Sequence, residues 1–329
     1  MATVVRRTGG RPSPTTKTTA RSTKTTTVSK TAQSKIGSSL NLELPTEKSK
    51  PIYDLTTTTF FFHGEPGIGK TDFTAQFPDA LNLAFEPSGR YLEIFRLPET
   101  GSFMSWDQFV RVVDKLVRSD RFRTIVFDTA DLAYALCTSH ICEEAGEDHI
   151  NDGELGYGKG VDKVDAEFKK QILRLTATGR GVIFVSHTKA EEFTKGSGVK
   201  QQKLIATVKE RGRRFINGFV DVTGYYGYFG DERRLVIRGS ENVDCKCRIK
   251  GRFLTPKGSA LFEKRHDMRD VPVSERILSI DMGDSAEESY ENFVAAYNNE
   301  QTDTGIVRKA ELSEVKAAFG SKKTAVRRR

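Results

Sequence analysis

The chain has 329 residues, 37% of them hydrophobic, which allows one α/β domain of good size with appendages or two small domains. Its formal net charge of +8 is unevenly distributed: residues 1–50 hold ten of the 52 lysines and arginines against two glutamates, and residues 321–329 hold five more without an acid. Residues 51–320 therefore carry a net charge of −5. The basic pI does not by itself indicate a nucleic-acid partner for this middle part.

The cysteines and the apolar runs restrict the cellular context. The chain has four cysteines, too few for a disulfide framework at this length: Cys137, Cys142, Cys245 and Cys247. We expect reduced thiols; a metal site that combines the first two with His140 and His149 is the less favoured alternative. No apolar run reaches the roughly 20 residues that span a bilayer, and no signal-peptide core is present. These patterns predict a soluble, cytoplasmic protein without a membrane partner.

Residues 1–45 form a low-complexity segment with eleven threonines in the first 31 positions. This composition cannot bury enough apolar surface to offset the entropy cost of ordering, so we predict a disordered basic tail. Three roles stay open: a solvated segment without a specific role, an arm that binds phosphates, or an organellar transit peptide. Residues 321–329 are predicted to form a second basic tail.

From residue 56 onwards, β-prone runs alternate with helical patterns. The predicted strands cover residues 56–62, 80–85, 124–127 and 182–185. The predicted helices run from residue 70 towards residue 77 and over residues 106–117, 130–141 and 161–175. This alternation predicts a mostly parallel central sheet with helices on both faces.

The second half of the chain has a different pattern. Short β-prone runs at residues 218–229, 234–238 and 243–249 predict an antiparallel extension of the sheet, and residues 285–297 predict a helix. We therefore divide the chain into the tail at 1–45, a core at 51–252, a C-terminal extension with one helix at 253–320, and the tail at 321–329.

A phosphate-binding loop lies between the first predicted strand and the first predicted helix. It consists of Gly64, Glu65, Pro66, Gly67, Ile68, Gly69, Lys70 and Thr71. The glycines let the backbone wrap around the β-phosphate with its N–H groups pointing inward. Lys70 supplies a positive charge for the β- and γ-phosphates, and the Thr71 hydroxyl is placed to ligate Mg²⁺. The motif predicts binding of ATP and Mg²⁺.

The ends of the later strands carry polar residues that suit the same site. Asp128 follows an apolar run and predicts a Mg²⁺ ligand, although a strand-ending aspartate can also be a helix cap. Thr129 stands where many ATPases have a catalytic glutamate. We therefore predict that Glu86, at the end of the second strand, orients the attacking water; a surface glutamate is the alternative.

His187 ends the fourth predicted strand and faces the same edge of the sheet. We predict that its imidazole contacts the γ-phosphate and reports its presence to the following segment. A partly buried histidine with its hydrogen bonds satisfied is the alternative. The predicted catalytic residues are thus Glu86, Lys70 and His187.

In this order, the four strand ends resemble the RecA-like ATPases. The chain is similar in particular to phage-encoded RecA-like proteins with an AAA domain that act in recombination and single-strand annealing. The matching pieces, over roughly residues 56–250, are 64–71, Phe85-Glu86, Phe127-Asp128-Thr129, Gly156-Tyr157-Gly158-Lys159 and Val185-Ser186-His187. The resemblance implies a RecA-like P-loop NTPase with a mostly parallel sheet, an antiparallel extension and disordered basic termini.

The resemblance also implies ATP-dependent binding to single-stranded DNA through loops at the sheet edge. Residues 188–203 are predicted to be a flexible loop that tracks phosphates with Lys189, Lys195, Lys200 and Lys203. A basic cluster follows, in which Arg213 and Arg214 accompany Lys209 and Arg211. Its arginines are predicted to contact DNA or the γ-phosphate in a neighbouring subunit. Solvated surface charge is the alternative for both segments.

The favoured function is therefore that of an oligomeric recombination ATPase that binds single-stranded DNA, with a single-strand-binding protein as a further partner. A DNA motor, either a helicase or a packaging ATPase, shares this core. A packaging ATPase would normally add a nuclease domain and a helicase a further strand-separating domain, for which we find no pattern. A non-motor P-loop NTPase, a small-molecule kinase and a protein that binds ATP without turnover stay as alternatives of another class.

Overall fold

The computed structural model describes residues 44, 46–194, 198, 200–238, 242–253, 278–299 and 307–309. The predictions for the two basic tails lie outside these residues, apart from residue 44. The helices are α1 (Lys70–Ala75), α2 (Trp106–Val117), α3 (Ala130–Ala145), α4 (Lys159–Thr176), α5 (Glu210–Phe219) and α6 (Ala286–Asn298), with a short 3-10 helix at Gly153–Leu155. The strands are β1 (Phe60–Gly64), β2 (Ala80–Ala84), β3 (Arg96–Leu97), β4 (Thr124–Asp128), β5 (Gly181–Thr194), β6 (Lys200–Ala206), β7 (Val222–Phe229), β8 (Glu232–Arg238), β9 (Lys246–Cys247), β10 (Leu278–Asp281) and β11 (Val307–Lys309).

Within the described residues, the strands form a mixed sheet in the order β11-β10-β8-β7-β1-β5-β4-β2-β3. The strands from β7 to β3 in this order are parallel, and β8, β10 and β11 continue the sheet in antiparallel fashion. The predicted α/β class, with a mostly parallel central sheet and an antiparallel extension, is confirmed. In this order the P-loop strand β1 lies between β7 on one side and β5 on the other.

The prediction placed one strand in the wrong part of the sheet. Residues 218–229 were predicted to belong to the antiparallel extension, but β7 pairs with β1 in parallel, with Gly64 opposite Tyr226. Parallel neighbours need a crossover connection, usually a helix. Helix α5 lies in the connection that leads to β7, and the sequence pattern had indicated only a basic cluster there.

The start of β1 also differs from the prediction. Residues 56–59 are threonines with high β-propensity, yet Thr56 and Thr57 lie in a turn, and the strand begins only at Phe60. Asp54 holds this turn: its side-chain Oδ1 accepts a hydrogen bond from the Thr56 N–H at 2.8 Å, and its carbonyl accepts from the N–H of Thr58 at 3.1 Å. Local hydrogen bonding by an aspartate thus overrides the strand preference.

Alternate residues of β1 supply the cores on the two faces of the sheet. Phe61 packs on one face in a cluster with Phe127 and Phe184, which helices α2, α3 and α4 cover. Phe60 points to the other face and contacts Phe293 of α6, with 5.5 Å between the ring centroids. The predicted C-terminal helix therefore packs directly behind the P-loop strand. Strand β10 from the same part of the chain extends the sheet at β8.

The segment after His187 is a β-hairpin. Strand β5 continues through Thr194, and β6 pairs with it in antiparallel fashion, with Glu191 opposite Lys203. The prediction of a flexible loop over residues 188–203 is therefore wrong for 188–194 and 200–203. Glycines and lysines suggested a loop, but the two segments pair through their backbones as neighbouring strands instead. Lys195 lies outside the described residues.

Candidate nucleotide site

The P-loop connects the end of β1 to the start of α1, as predicted. Gly69 has a φ of 97°, in the left-handed region that favours glycine, where the backbone turns into the helix. Gly64 is required for another reason: a Cβ atom at this position would lie 2.2 Å from the carbonyl oxygen of Tyr226 on β7. The first glycine of the motif thus lets the P-loop strand pack against β7.

The Lys70 side chain lies back over the loop. It is 6% exposed, and its Nζ donates to the carbonyl oxygens of Gly64 at 3.0 Å and Glu65 at 2.8 Å. Burial lowers the pKa of the ammonium group, whereas Asp128 and Glu86 nearby favour its charged form. A buried cation whose hydrogen bonds go to backbone carbonyls is well suited to receive a phosphate anion.

Thr71 and Asp128 bring two oxygen atoms together beneath the loop. The Thr71 hydroxyl donates to Oδ2 of Asp128 at 2.8 Å, and the Asp128 side chain is buried at the end of β4. Mg²⁺ prefers oxygen ligands and takes one or two from the protein, the rest coming from water and substrate phosphates. The two predicted metal ligands therefore fit Mg²⁺.

Two further side chains hold the Asp128 carboxylate, and neither was singled out in the sequence. Ser88 donates to Oδ2 of Asp128 at 2.7 Å and Asn82 at 3.4 Å. Ser88 lies two residues beyond Glu86, in the turn that follows β2. The position of Ser88, two residues after the glutamate that ends the predicted strand, could have indicated that its hydroxyl belongs to the site. Asn82 offered a weaker signal, as a polar residue within an apolar strand.

Glu86 and His187 come together at the side of the cleft. The backbone N–H groups of Phe85 and Glu86 donate to the carbonyl oxygen of Asp128 at 2.7 and 3.2 Å, which fixes the end of β2 against the end of β4. His187 Nε2 then lies 3.4 Å from Oε2 of Glu86. The hydrogen bond with Glu86 raises the pKa of His187, although partial burial opposes the rise. The predicted catalytic residues thus line one cleft with the P-loop.

This cleft has a volume of about 350 Å³. Pro66, Gly67, Gly69, Lys70, Thr71, Asp72, Glu86, Ser88, Gly89, Tyr91, Leu92, Asp128 and His187 line it. Tyr91 was not predicted: its side chain is 89% exposed at the rim, in the segment after Glu86. An exposed aromatic ring beside a phosphate-binding loop offers a surface for stacking a nucleobase.

A buried histidine connects the P-loop strand to the hairpin. His63 precedes Gly64 and is fully buried; its Nε2 lies 2.9 Å from the Asp244 carbonyl oxygen and its Nδ1 lies 2.8 Å from the Thr188 hydroxyl. Because a carbonyl only accepts, Nε2 carries the hydrogen and Nδ1 accepts from Thr188. Burial lowers the pKa of His63 to about 4, so the ring is neutral at physiological pH. A histidine within an apolar strand was the missed signal.

The base of the hairpin is held from its other side as well. The N–H of Thr207, directly after β6, donates to the His187 carbonyl oxygen at 3.0 Å. The Ser186 hydroxyl donates to Oδ1 of Asp131 at 3.1 Å, and Thr207 donates to the same oxygen. The start of α3, the end of β6 and the backbone of His187 therefore form one hydrogen-bonded group.

Within the described residues, the cations predicted to bind DNA are paired with carboxylates or with a backbone carbonyl. Lys189 pairs with Glu191 at 3.3 Å, Lys200 with Glu192 at 2.8 Å, Lys203 with Asp244 at 3.1 Å and Arg214 with Glu210 at 3.4 Å. Arg213 is partly buried at the hairpin base, where its Nη1 donates to the Ala206 carbonyl oxygen at 3.3 Å. Arg211, a candidate arginine finger, pairs with Asp162 and Asp165. The hairpin surface is therefore closer to neutral than its lysines alone indicated.

The described part of the chain gives no support to a further metal centre. Its cysteines are free thiols, and no group of three or more His, Cys, Asp or Glu side chains within it is arranged to hold a metal ion. None of the helices in the described segments combines the length and the apolar character needed to cross a membrane.

A strand–P-loop–helix unit, with paired Thr71 and Asp128 oxygens and polar groups from two further strand ends, defines a P-loop nucleotide-binding protein. The sequence comparisons agree. The model of an AAA domain family matches residues 56–249, more than half of the chain, and the chain belongs to this family.

The chain is also similar to a prophage protein and to a solved archaeal structure. It is 25% identical over 184 residues to the SPbeta prophage-derived uncharacterized protein YorG of Bacillus subtilis (strain 168), a match that covers 54% of this chain. The match spans 53%, or about half, of that relative's length. The crystal structure of a KaiC-like protein from the archaeon Pyrococcus horikoshii OT3 aligns with a TM-score of 0.33 and 15% identity, covering 56% of this chain and 80% of that one.

Proposed function

We propose that the chain hydrolyses ATP with Mg²⁺ and, as a homo-oligomer, uses its ATP state to bind single-stranded DNA for annealing or strand exchange. The observation that supports this most directly is the continuity of β5. This strand starts in the centre of the sheet, passes the cleft at His187 and ends in the β5–β6 hairpin. A ligand that moves His187 therefore acts on the backbone that carries the hairpin lysines.

In the proposed reaction, the site residues divide into those that bind and those that activate. Lys70 and the loop amides hold the phosphates; Thr71 and Asp128 would hold Mg²⁺, which would supply positive charge beside the phosphate oxygens. Glu86 orients the attacking water and accepts its proton as the new oxygen–phosphorus bond forms and ADP leaves. Protonated His187 donates to an oxygen of the γ-phosphate.

The proposed coupling follows from the contacts at the hairpin base. The Thr188 hydroxyl is hydrogen-bonded to His63, directly before the P-loop. The His187 carbonyl oxygen accepts a hydrogen bond from Thr207, directly after β6. A phosphate that draws His187 away from Glu86 shifts the backbone between these two attachment points. The hairpin then changes its position relative to the sheet when ATP replaces ADP.

For DNA, the proposal requires phosphates to compete with carboxylates. The side chain of Lys189 is as exposed as that of its partner Glu191, and the side chain of Lys200 is more exposed than that of its partner Glu192. Ion pairs on the surface of this kind contribute little to stability. A DNA phosphate can therefore replace Glu191 or Glu192 as the partner of a hairpin lysine. Binding of this kind is weak at high salt because it depends on counterion release.

The same charge balance favours a second candidate function. A hairpin whose described lysines are paired with acids also suits a non-motor P-loop NTPase that signals its nucleotide state to a protein. In either case we propose a role in the cytoplasm of a phage-infected bacterial cell, which the similarity to a prophage protein supports. Assembly into a homo-oligomer and interaction with a single-strand-binding protein are parts of the proposed recombination function.

One experiment separates these possibilities. We would measure ATP hydrolysis alone, with single-stranded DNA and with duplex DNA, using Lys70→Ala as the variant that cannot bind ATP. The recombination proposal expects stimulation by single-stranded DNA and binding to it that depends on ATP. Hydrolysis without either effect would favour the non-motor NTPase, and translocation along duplex DNA would favour a motor. No hydrolysis under any condition would remove the enzymatic part of the proposal.

A further inference from the structure

Arg233 reaches the P-loop from the side opposite to Glu86 and His187. It is the second residue of β8, which lies beyond β7 in the sheet, whereas β5, β4 and β2 lie on the other side of β1. Since β8 is antiparallel to β7, it begins at the sheet edge where β1 ends in the P-loop. No sequence pattern selects Arg233, because more than 160 positions separate it from the motif.

The guanidinium group of Arg233 lies beside Gly69 of the P-loop. A Cβ atom built on Gly69 would lie 3.4 Å from Nη1 of Arg233, an ordinary van der Waals distance. The group also acts electrostatically on Asp72 in the first turn of α1: burial and Glu287 raise the pKa of Asp72, and Arg233 opposes that rise. Arg233 therefore lies beside the last residues of the loop and the first residues of the helix.

Arg233 is anchored at one nitrogen and unpaired at another. Its Nε donates to the Gly283 carbonyl oxygen at 2.8 Å, which holds the side chain in place. Its Nη2 is buried and has no hydrogen-bond partner among the described residues. A buried guanidinium N–H without a partner is unfavourable, and charged donors of this type are most strongly satisfied by carboxylates or phosphates. A phosphate bound at the loop is the kind of group that this donor would suit.

We propose that Arg233 is a nucleotide-binding residue that donates from Nη2 to the α- or β-phosphate of ATP or ADP. The amides of the glycine-rich part of the loop cradle these two phosphates, whereas Lys70 extends to the β- and γ-phosphates. Arg233 lies beside Gly69 in the glycine-rich part. It therefore strengthens ATP and ADP binding alike and takes no part in breaking the bond to the γ-phosphate. This inference rests on nucleotide binding at the P-loop.

The test measures dissociation constants for ATP and ADP and the turnover number of Arg233→Ala and Arg233→Lys. Arg111→Ala is the control, because it removes an exposed arginine of α2. Loss of one charge-assisted hydrogen bond predicts that Arg233→Ala binds both nucleotides roughly tenfold to a hundredfold more weakly. Turnover at saturating ATP stays within about twofold of the wild type, since uniform binding energy does not change it. The control binds like the wild type.

The lysine variant separates ligand binding from support of the loop. Lysine retains the charge and the stem but not the planar fork. Weaker ATP and ADP binding in a lysine variant that melts like the wild type supports the proposal, even if the alanine variant does not fold. Wild-type affinity in the lysine variant, an unchanged affinity in the alanine variant, or a loss confined to turnover overturns it. If the wild type itself binds no nucleotide, the proposed function and the role of Arg233 both fail. If the wild type binds and hydrolyses ATP but the variants give one of these overturning results, only the role of Arg233 fails.

Discussion

His187 Nε2 lies 3.4 Å from Oε2 of Glu86, so two residues separated by 101 positions meet beside the P-loop. The contact joins the group proposed to activate water to the group proposed to sense the γ-phosphate. Glu86 holds the imidazole on the side where the phosphate would arrive. A phosphate that takes over the imidazole N–H leaves the carboxylate free to accept a hydrogen bond from water.

Replacing Glu86 by glutamine tests the catalytic half of this pair. Glutamine has the same shape but cannot accept a proton, so turnover should fall by about a hundredfold or more while ATP affinity stays close to that of the wild type. Glu93→Gln is the matched control, an exposed glutamate in the same segment. Single-turnover hydrolysis and equilibrium ATP binding measure the two quantities. Turnover of Glu86→Gln within about tenfold of the control would exclude Glu86 as the base.

The pH dependence of hydrolysis tests the sensor. Because the contact with Glu86 raises the pKa of His187 above its ordinary value of 6.5, the imidazole stays protonated to higher pH in the folded protein. Hydrolysis that needs this proton is fully active below that pKa and declines as the pH rises through it. His187→Gln should remove the alkaline decline from a profile recorded between about pH 6 and 9. An unchanged decline in that variant would assign it to another group.

The pKa of His63 is shifted in the opposite direction to that of His187, and this shift predicts how the stability of the fold depends on pH. Its pKa is lowered to about 4 in the folded protein, against an ordinary value of 6.5, so the unfolded chain binds the proton more tightly. The contribution of the neutral ring is complete above pH 6.5 and is lost as the pH falls towards 4. The loss is of the order of 3 kcal/mol.

Denaturant unfolding across this pH range measures the effect. His63→Gln should flatten the slope of the unfolding free energy against pH, whereas His149→Gln, which removes an exposed histidine, should keep it. Equal slopes in the wild type and in His63→Gln would show that the ring does not stay neutral in the folded protein.

The hairpin charges give a prediction with two opposite signs. Lys200 and Glu192 form an ion pair at 2.8 Å, and both side chains are more than half exposed. If DNA phosphates replace the glutamate, Lys200→Ala weakens binding to single-stranded DNA and lowers the salt slope by about one, whereas Glu192→Ala strengthens binding. Affinities measured over a series of salt concentrations check both signs. If both variants keep the wild-type DNA affinity and salt dependence, single-stranded DNA does not bind at this ion pair.

The strand ends of the nucleotide site could be predicted because each has a chemical requirement that is visible locally. A phosphate loop needs glycines before Lys70, and an apolar run that ends in an aspartate, as at Asp128, is typical of the Mg²⁺ ligand that accompanies such a loop. The parallel sheet then gathers Glu86 and His187 at the same edge. Positions far apart in the chain were correctly combined because the architecture follows from the alternation of strands and helices.

The remaining features depend on pairing between distant segments. The lysine and glycine content of residues 188–203 indicated a loop, and only the partner strand shows that Glu191 faces Lys203. In the same way, α5 and the parallel position of β7 follow from where the chain returns to the sheet. Arg233 approaches the P-loop only because β8 lies two strands away from β1. No local pattern contains this information.

Phe293 contacts both Phe60 and Phe73 on the face of the sheet behind the P-loop. It lies on α6, outside the segment 56–249 by which the family is recognised. Residues 56–249, which hold the nucleotide site, therefore do not contain all of the core that packs behind the P-loop. Moved into another protein alone, this segment would expose an aromatic surface next to its own phosphate loop. Any chimaera built on this nucleotide site has to bring α6 with it or supply an equivalent ring.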